Sequence, residues 1–381
     1  MRECPTFPYF AADTGMTPRD HLWQAVRGAG NNLEDCVGCG RCKTLCPLDI
    51  DLPVMIGRMK GQQPNPQDVF FKRIELLFRL CSATAPVANP AFQTPLVRYP
   101  AEWVSGMDHR RVLPRFRRDS FQRWAAARTE HPVGRHKVVY YYGCYVNYTD
   151  PELGRAVVGL LERNDCEVAI PAQVCCGVAA FAYGDWDLAR RYAQKTIRSL
   201  VPWVDQGYRV VVTCPSCALA LLRDFCYLLP GDAAAERLAQ STINLSTFVL
   251  ELAAQGDWET LPSSVPLKVG YHTPCHLRVR GGGADSLALL RLIPALEVVP
   301  LDRGCCGLAG SYGMKAAHFD RSLEIGGRVA SFIAEQNCQA VSTDCAGCEM
   351  QLHALTGLPV FHPAKLLWRS MADRLDDSRS L

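Results

Sequence analysis

The sequence predicts an α/β chain built from two duplicated units with parallel sheets, preceded by a small α+β or helical N-terminal domain. Three observations carry that prediction. Strand-like and helix-like runs alternate through residues 136–370. Five cysteines of one half recur in the other, 130 or 131 residues further on. A separate cysteine run lies near the N-terminus in turn-rich sequence. Alternation of this kind implies parallel strands with helices packed on the sheet, and a near-constant offset over five positions marks an internal repeat.

Taken in order, residues 1–61 form the first domain, which is ferredoxin-like in its cysteine spacing. Residues 62–135 are a helical, basic connecting arm: QQPNPQ opens it, FFKRIELLFRL follows, then prolines and an arginine-rich stretch. On a helical wheel Phe70, Phe71, Ile74, Leu77, Phe78 and Cys81 share one face, opposite Lys72, Glu75 and Arg79. Such a stripe is a core face by default; docking to a membrane surface or an anchor protein is the alternative. Between Arg98 and Arg128 eight arginines face only Glu102, Asp108 and Asp119. A solvated basic face is the plain reading, and the interleaved Trp103, Phe116, Phe121 and Trp124 also suit anionic headgroups or an acidic partner.

The first repeat unit spans 136–257, with strands expected at KVVYYYGC, CEVAIP and RVVVT and helices at PELGRAVVGLLERN and DLARRYAQKTIRSLV. The second spans 266–370 after the joint GDWETLPSSVP. Its strands are expected at KVGYHTPC, LEVVPL and AVSTD, and its helices at DSLALLRLI and after Tyr312. Every repeated cysteine then falls at or just after the C-terminal end of a strand, the edge at which open α/β sheets bind ligands.

Composition narrows the function classes. Hydrophobic content of 48% and charged content of 21% belong to an ordinary globular chain, and no apolar run reaches the length of a membrane span. A net charge of +3 with no nucleic-acid-binding motif gives no reason to expect nucleic acid. The start, MRECPTFPYF, lacks a signal-peptide core, and nineteen cysteines is an odd number, so a disulfide scaffold fits poorly and reduced thiolates holding metal fit well.

Fifteen of the nineteen cysteines are organised. Cys36, Cys39, Cys42 and Cys46-Pro47 spell C-x2-C-x2-C-x3-C-P, the spacing of a cubane [4Fe–4S] loop, with Gly38 and Gly40 permitting a tight wrap. Zinc is the competing reading, but four cysteines in so short a run are too crowded for a zinc knuckle. Cys4-Pro5 resembles the tail of another such motif. Because the fourth cysteine of a motif ligates the other cluster in two-cluster ferredoxins, Cys4 is expected to complete the site of Cys36, Cys39 and Cys42. Closure by Cys46 is the alternative. The same logic leads to the expectation that the true start lies upstream of Met1, with the missing cysteines in front of it.

The repeated sets are Cys144, Cys175, Cys176, Cys214 and Cys217, then Cys275, Cys305, Cys306, Cys345 and Cys348. Five thiolates exceed zinc's four, and adjacent cysteines reach two irons more readily than one tetrahedral ion. Gly177 and Gly307, following the adjacent pairs, suit a positive φ where the chain turns away from the metal. His272 and His276 flank Cys275; hydrogen bonding to cluster sulfur or backbone and proton delivery are both open. Lys315 and Tyr312 are similarly open. Cys81, Cys166, Cys226 and Cys338 are expected to be core thiols. No strand-linked G-x-G-x-x-G is present, so flavin or nicotinamide belongs to another polypeptide.

On GCYVNYTDPELGR, DHRRVLPRF, PLKVGYHTPCHL, CCGLAGSYGMK, TDCAGCEMQ and HPAKLL, the chain resembles the CCG-domain family of heterodisulfide reductase subunits, and within it the C-subunits of anaerobic glycerol-3-phosphate dehydrogenases. The resemblance implies a ferredoxin-like domain ahead of two CCG domains, with non-cubane [4Fe–4S] clusters in the complete five-cysteine sets. It implies an iron–sulfur electron-transfer subunit of a membrane-associated dehydrogenase, peripheral to the inner face of the cell membrane. Electrons would pass from an FAD-containing dehydrogenase subunit, acting on glycerol-3-phosphate or a similar hydroxy substrate, toward quinone. The alternative is a heterodisulfide reductase-like protein that cleaves a disulfide at its CCG clusters. The incomplete first ferredoxin motif departs from the family pattern.

Overall fold

The computed structural model describes residues 4–6, 8, 20, 23, 33–62, 65–258 and 263–371. Met1 to Glu3 and anything upstream of them lie outside the described residues.

Each repeat unit is a four-stranded, all-parallel sheet. The first contains β1 (His136–Tyr141), β2 (Cys166–Ala169), β3 (Arg209–Val212) and β4 (Thr242–Asn244), in the order β2-β1-β3-β4. The second contains β5 (Lys268–Tyr271), β6 (Glu297–Pro300), β7 (Ala340–Ser342) and β8 (Val360–Phe361), in the order β6-β5-β7-β8. Val138, Val139, Tyr140 and Tyr141 are all fully buried, as a strand covered on both faces must be. The crossover helix Pro151–Glu162 starts on Pro151 behind Asp150, whose carboxylate accepts from Leu153 N at 3.1 Å; helix Trp186–Val204 is capped the same way by Asp185. The strands predicted from sequence appear a residue or more shorter. β4 and β8, with three and two residues, have no counterpart among the predicted strands.

This order creates one switch point per sheet. The chain leaves β1 for β2 on one side and returns to β3 on the other, so the crevice beyond β1 and β3 is open. Cys144 follows β1 and Cys214 follows β3; Cys275 follows β5 and Cys345 follows β7. The fold thus aims two cysteine arms of each set into the same crevice.

The two units share one core. Helix Pro363–Met371 of the second lies on helix Pro151–Glu162 of the first, and a single apolar cluster runs from Tyr140, Val157 and Leu161 to Tyr271, Leu290 and Leu367. The N-terminal part is helical among its described residues, with Arg41–Thr44 and Leu52–Gln62 as its helices; no strand occurs in 33–62.

The connecting arm is helical, but its stripe is not one helix: the backbone breaks at Arg73 (φ −103°, ψ 35°), between Asp68–Lys72 and Ile74–Ala83. Phe71 and Cys81 are buried, so the stripe faces the core as its default reading predicts. Arg110, Arg115, Arg118 and Arg123 are exposed, as a solvated basic face requires, but two arginines of the stretch depart from it. Arg98 is buried and donates to the carbonyls of Asp108, His109 and Arg111. Arg111 is buried against Gly313 O, Gln351 and Ser322. Phe116 and Phe121 are core residues, and Trp124 packs against the core. Backbone carbonyls in an extended segment need donors, and a guanidinium supplies several at once.

Three converging cysteine sites

In the first unit the sulfurs of Cys144, Cys175, Cys176, Cys214 and Cys217 converge. Hydrogen bonds link Cys144 to Cys175, Cys175 to Cys176, Cys176 to Cys217 and Cys217 to Cys214. The second unit repeats the pattern, with Cys305 on Cys306, Cys306 on Cys348 and Cys348 on Cys345, while Cys275 lies within electrostatic reach of Cys345 and Cys306. None of these cysteines forms a disulfide. Cys175 in the first set and Cys306 in the second are pulled well below the ordinary thiol range because neighbouring cysteines donate to them. Donating pushes Cys144, Cys305 and Cys348 up, and burial adds to this. Cys214, accepting from Cys217, is drawn down to about 7. Five buried sulfurs cannot all ionise alone, because each thiolate raises the cost of the next. A cation among them removes that cost, so the donor set fits a sulfur-rich metal centre with more than four ligand positions.

The turn beside each pair is built for this crowding. Gly177 has φ 75° and Gly307 φ 92°, in the left-handed region that disfavours side chains. A methyl on Gly307 would run into the backbone carbonyl of Ser322.

A third hollow is lined by Cys4, Cys36, Cys39 and Cys42 together with Gly38, Gly40 and Ile56. Cys46 is not among its lining residues. Burial pushes Cys39 up to about 12 and Cys42 to about 11, with Cys4 among the neighbouring sulfurs that add to the rise. Gly38 and Gly40 both take positive φ, at 65° and 79°. Lys60 Nζ donates to Cys36 O at 3.2 Å, which pins the loop to helix Leu52–Gln62.

The sites adjoin one another. Cys39 is among the charges that act on Cys275. His276 Nε2 lies 3.3 Å from Gly38 O, so it donates there, and Nδ1 then accepts from Ser216 Oγ at 2.9 Å. One imidazole thus touches the loop between Cys36 and Cys39, the loop between Cys214 and Cys217, and its own neighbour Cys275. Lys315 is buried between Glu34 and Asp68, 2.9 Å from Asp68, and ties the second unit to the N-terminal part and the arm. Tyr312 stacks on His318 at 4.3 Å.

Cys81, Cys166 and Cys338 are buried as expected, whereas Cys226 is only half-buried. Sequence reasoning had no signal for the functional surroundings contributed from far away. The Glu75 carboxylate, a hundred residues upstream, bonds Cys175 N and the Tyr192 hydroxyl. Burial, with the Cys175 sulfur alongside, pushes its carboxyl up.

Comparison with known proteins sharpens this picture. The cysteine-rich CCG domain model matches residues 138–222 and 269–353. The C-subunit of anaerobic glycerol-3-phosphate dehydrogenase from Escherichia coli (strain K12) is 32% identical over 334 residues, 86% of this chain and 83% of that protein. The chain belongs to this C-subunit family. Within the wider group, the B-subunit of the CoM/CoB fumarate reductase from Methanothermobacter marburgensis is 25% identical over 91% of this chain and 62% of its own length. Lactate utilization protein A of Geobacillus thermodenitrificans is 30% identical over 61% of this chain and 98% of its own length. Membership of the family agrees with the duplicated parallel sheets, one matched segment falling on each.

Proposed function

We propose that this chain is the iron–sulfur electron-transfer subunit of a membrane-associated dehydrogenase. Its electrons come from an FAD-containing subunit that oxidises glycerol-3-phosphate or a similar hydroxy substrate, and they leave toward quinone. The observation that carries the reading is the grouping of thiols at three adjoining sites, in a chain 32% identical to a dehydrogenase subunit. The identity to a dehydrogenase subunit over 86% of this chain favours this reading over direct disulfide cleavage.

Each five-cysteine set holds a non-cubane [4Fe–4S] cluster. The N-terminal hollow holds a cubane ligated by Cys36, Cys39, Cys42 and Cys4, a choice supported by the place of Cys4 in that hollow and of Cys46 outside it. Such clusters supply one-electron steps over a wide range of potentials. The chain's own task is to bury the thiolates, exclude water, and keep the sites close enough for electrons to pass. The adjacency of Cys39 and Cys275 supports a path from the N-terminal site into the second unit. Among the described residues no helix is long and apolar enough to cross a membrane. Peripheral docking to the inner face of the cell membrane, or to an anchor protein, is supported by the arm, where Val87, Leu96 and Trp103 are 72%, 85% and 84% exposed.

Anaerobic purification with metal and sulfide analysis tests the proposal. About twelve iron atoms and twelve acid-labile sulfides per chain are expected for three such clusters. Cys176→Ser or Cys306→Ser removes one EPR signature while the N-terminal signal persists. Zinc without acid-labile sulfide overturns the proposal.

A further inference from the structure

The two five-cysteine sets are alike in every thiol, yet the strands that lead into them are not. Three residues before Cys144 stands Tyr141, and three before Cys275 stands His272. Both side chains are buried, at 0% and 1% exposure, and both sit beside the same sulfurs of their set. Tyr141 neighbours Cys176 and Cys217, but its hydroxyl turns away and donates to Val174 O at 2.8 Å. A ring nitrogen of His272 lies within 4.8 Å of the Cys306 and Cys348 sulfurs, the counterparts of Cys176 and Cys217. The His272 backbone N–H donates to Ser342 O at 2.9 Å, which fixes where its side chain leaves the chain beside the site. The ring is hydrogen-bonded to the Cys306 sulfur, and its Nδ1 is buried without a partner among the described residues, so the proton belongs on the other nitrogen, the one that faces the sulfur.

We propose that His272 donates a hydrogen bond to the Cys306 thiolate and so makes the second five-cysteine cluster the higher-potential member of the pair. The inference rests on the iron–sulfur reading above and adds an order to it. An added electron makes a cluster and its thiolates more negative, and an N–H aimed at a ligand sulfur stabilises that state more than the oxidised one. The first set has no such donor from its strand, because the Tyr141 hydroxyl is committed to a carbonyl. Duplication produced two cages with matching thiols, and the residue at this equivalent position is one difference between them. His272 acts through Cys306 and is a positioning residue.

The test is potentiometric EPR on the anaerobic full chain, comparing wild type with His272→Tyr, His272→Gln and Tyr141→His. His272→Tyr installs the residue of the first copy. It is expected to make reduction of the second cluster about tenfold less favourable, a drop of about 59 mV for one electron, with the other two clusters unmoved. His272→Gln keeps an N–H at similar reach and recovers most of the loss. Tyr141→His moves the first cluster upward. Should His272→Tyr fail to assemble the second cluster, Tyr141→His still decides: an unshifted midpoint of the first cluster in that variant overturns the proposal. A strong nitrogen coupling to iron in pulsed EPR of the wild type, absent in His272→Gln, shows direct ligation and overturns the donor role. A wild type without acid-labile sulfide defeats the iron–sulfur reading itself, a failure distinct from unshifted midpoints in a loaded protein.

Discussion

Replacing Gly307 by Ala tests whether the turn after the second adjacent pair is as tightly constrained as its geometry requires. Gly307 sits at φ 92°, and an added Cβ would collide with the carbonyl of Ser322 and stand 3.0 Å from Gly326 N. Two costs follow. Forcing a side chain into the left-handed region costs about 1–2 kcal/mol. Wedging a methyl against helix backbone, which cannot rotate away as a side chain can, costs a further 1–3 kcal/mol or so. The total is about 2–5 kcal/mol, which at roughly 2 °C per kcal/mol for a chain of this size is a Tm loss of about 4–10 °C. Gly281→Ala is the control: its φ is 74° but nothing lies within 4 Å of the added methyl, so only the conformational cost applies. Gly177→Ala falls between them, since its nearest neighbour is the Tyr192 side chain at 3.0 Å. Thermal unfolding under anaerobic conditions, with iron counted in the same samples, reads the series. Gly307→Ala should lose the second cluster before the other two. Equal losses for Gly307→Ala and Gly281→Ala would refute the reasoning.

Lys315→Met strands Glu34 and Asp68 beside each other without their cation and should cost about 3–5 kcal/mol, read by unfolding and by faster proteolysis of the arm. Lys315 is raised and Glu34 lowered from their ordinary values. The lysine's contribution is therefore complete below about pH 10 and lost as pH rises through its folded value, and the carboxylate's is complete above about pH 5 and lost as pH falls through its own. The gap between wild type and variant should hold across that window and close at both ends; a gap independent of pH would show that the charges do not matter. Alkylation of the loaded native protein should label Cys46 and Cys226 and spare Cys4, Cys81, Cys166 and Cys338, with mass spectrometry as the readout. Labelling of Cys4 with protection of Cys46 would reverse the choice of fourth ligand.

Much of this protein is legible in its chain, because metal-site chemistry is written in local spacing. The adjacent cysteines with a following glycine, the C-x2-C pairs and the alternation of strands and helices are all short-range patterns. Parallel sheets then place them at one edge without further instruction. The positive φ of Gly177 and Gly307 follows from the same local logic. Two arginines of the arm mislead for the opposite reason. Charge in a sequence says nothing about which carbonyls a folded segment will leave needing donors, and Arg98 and Arg111 end up inside.

What the sequence determined by itself was the duplicated α/β plan, the three cysteine groups and the strand-end position of two of them. Only the tertiary structure decided what meets each group from distant segments. Cys46 stays out of the hollow that Cys4 lines, His276 links the three sites, Glu75 reaches Cys175, and His272 stands beside the Cys306 and Cys348 sulfurs. These relations depend on helix Pro363–Met371 closing one unit on the other and on the Lys315 ion cluster holding the N-terminal part in place. The reason is physical. Spacing along a chain governs the partners a residue meets within a turn or two, whereas partners from distant segments are set by how buried surfaces and buried charges are satisfied together.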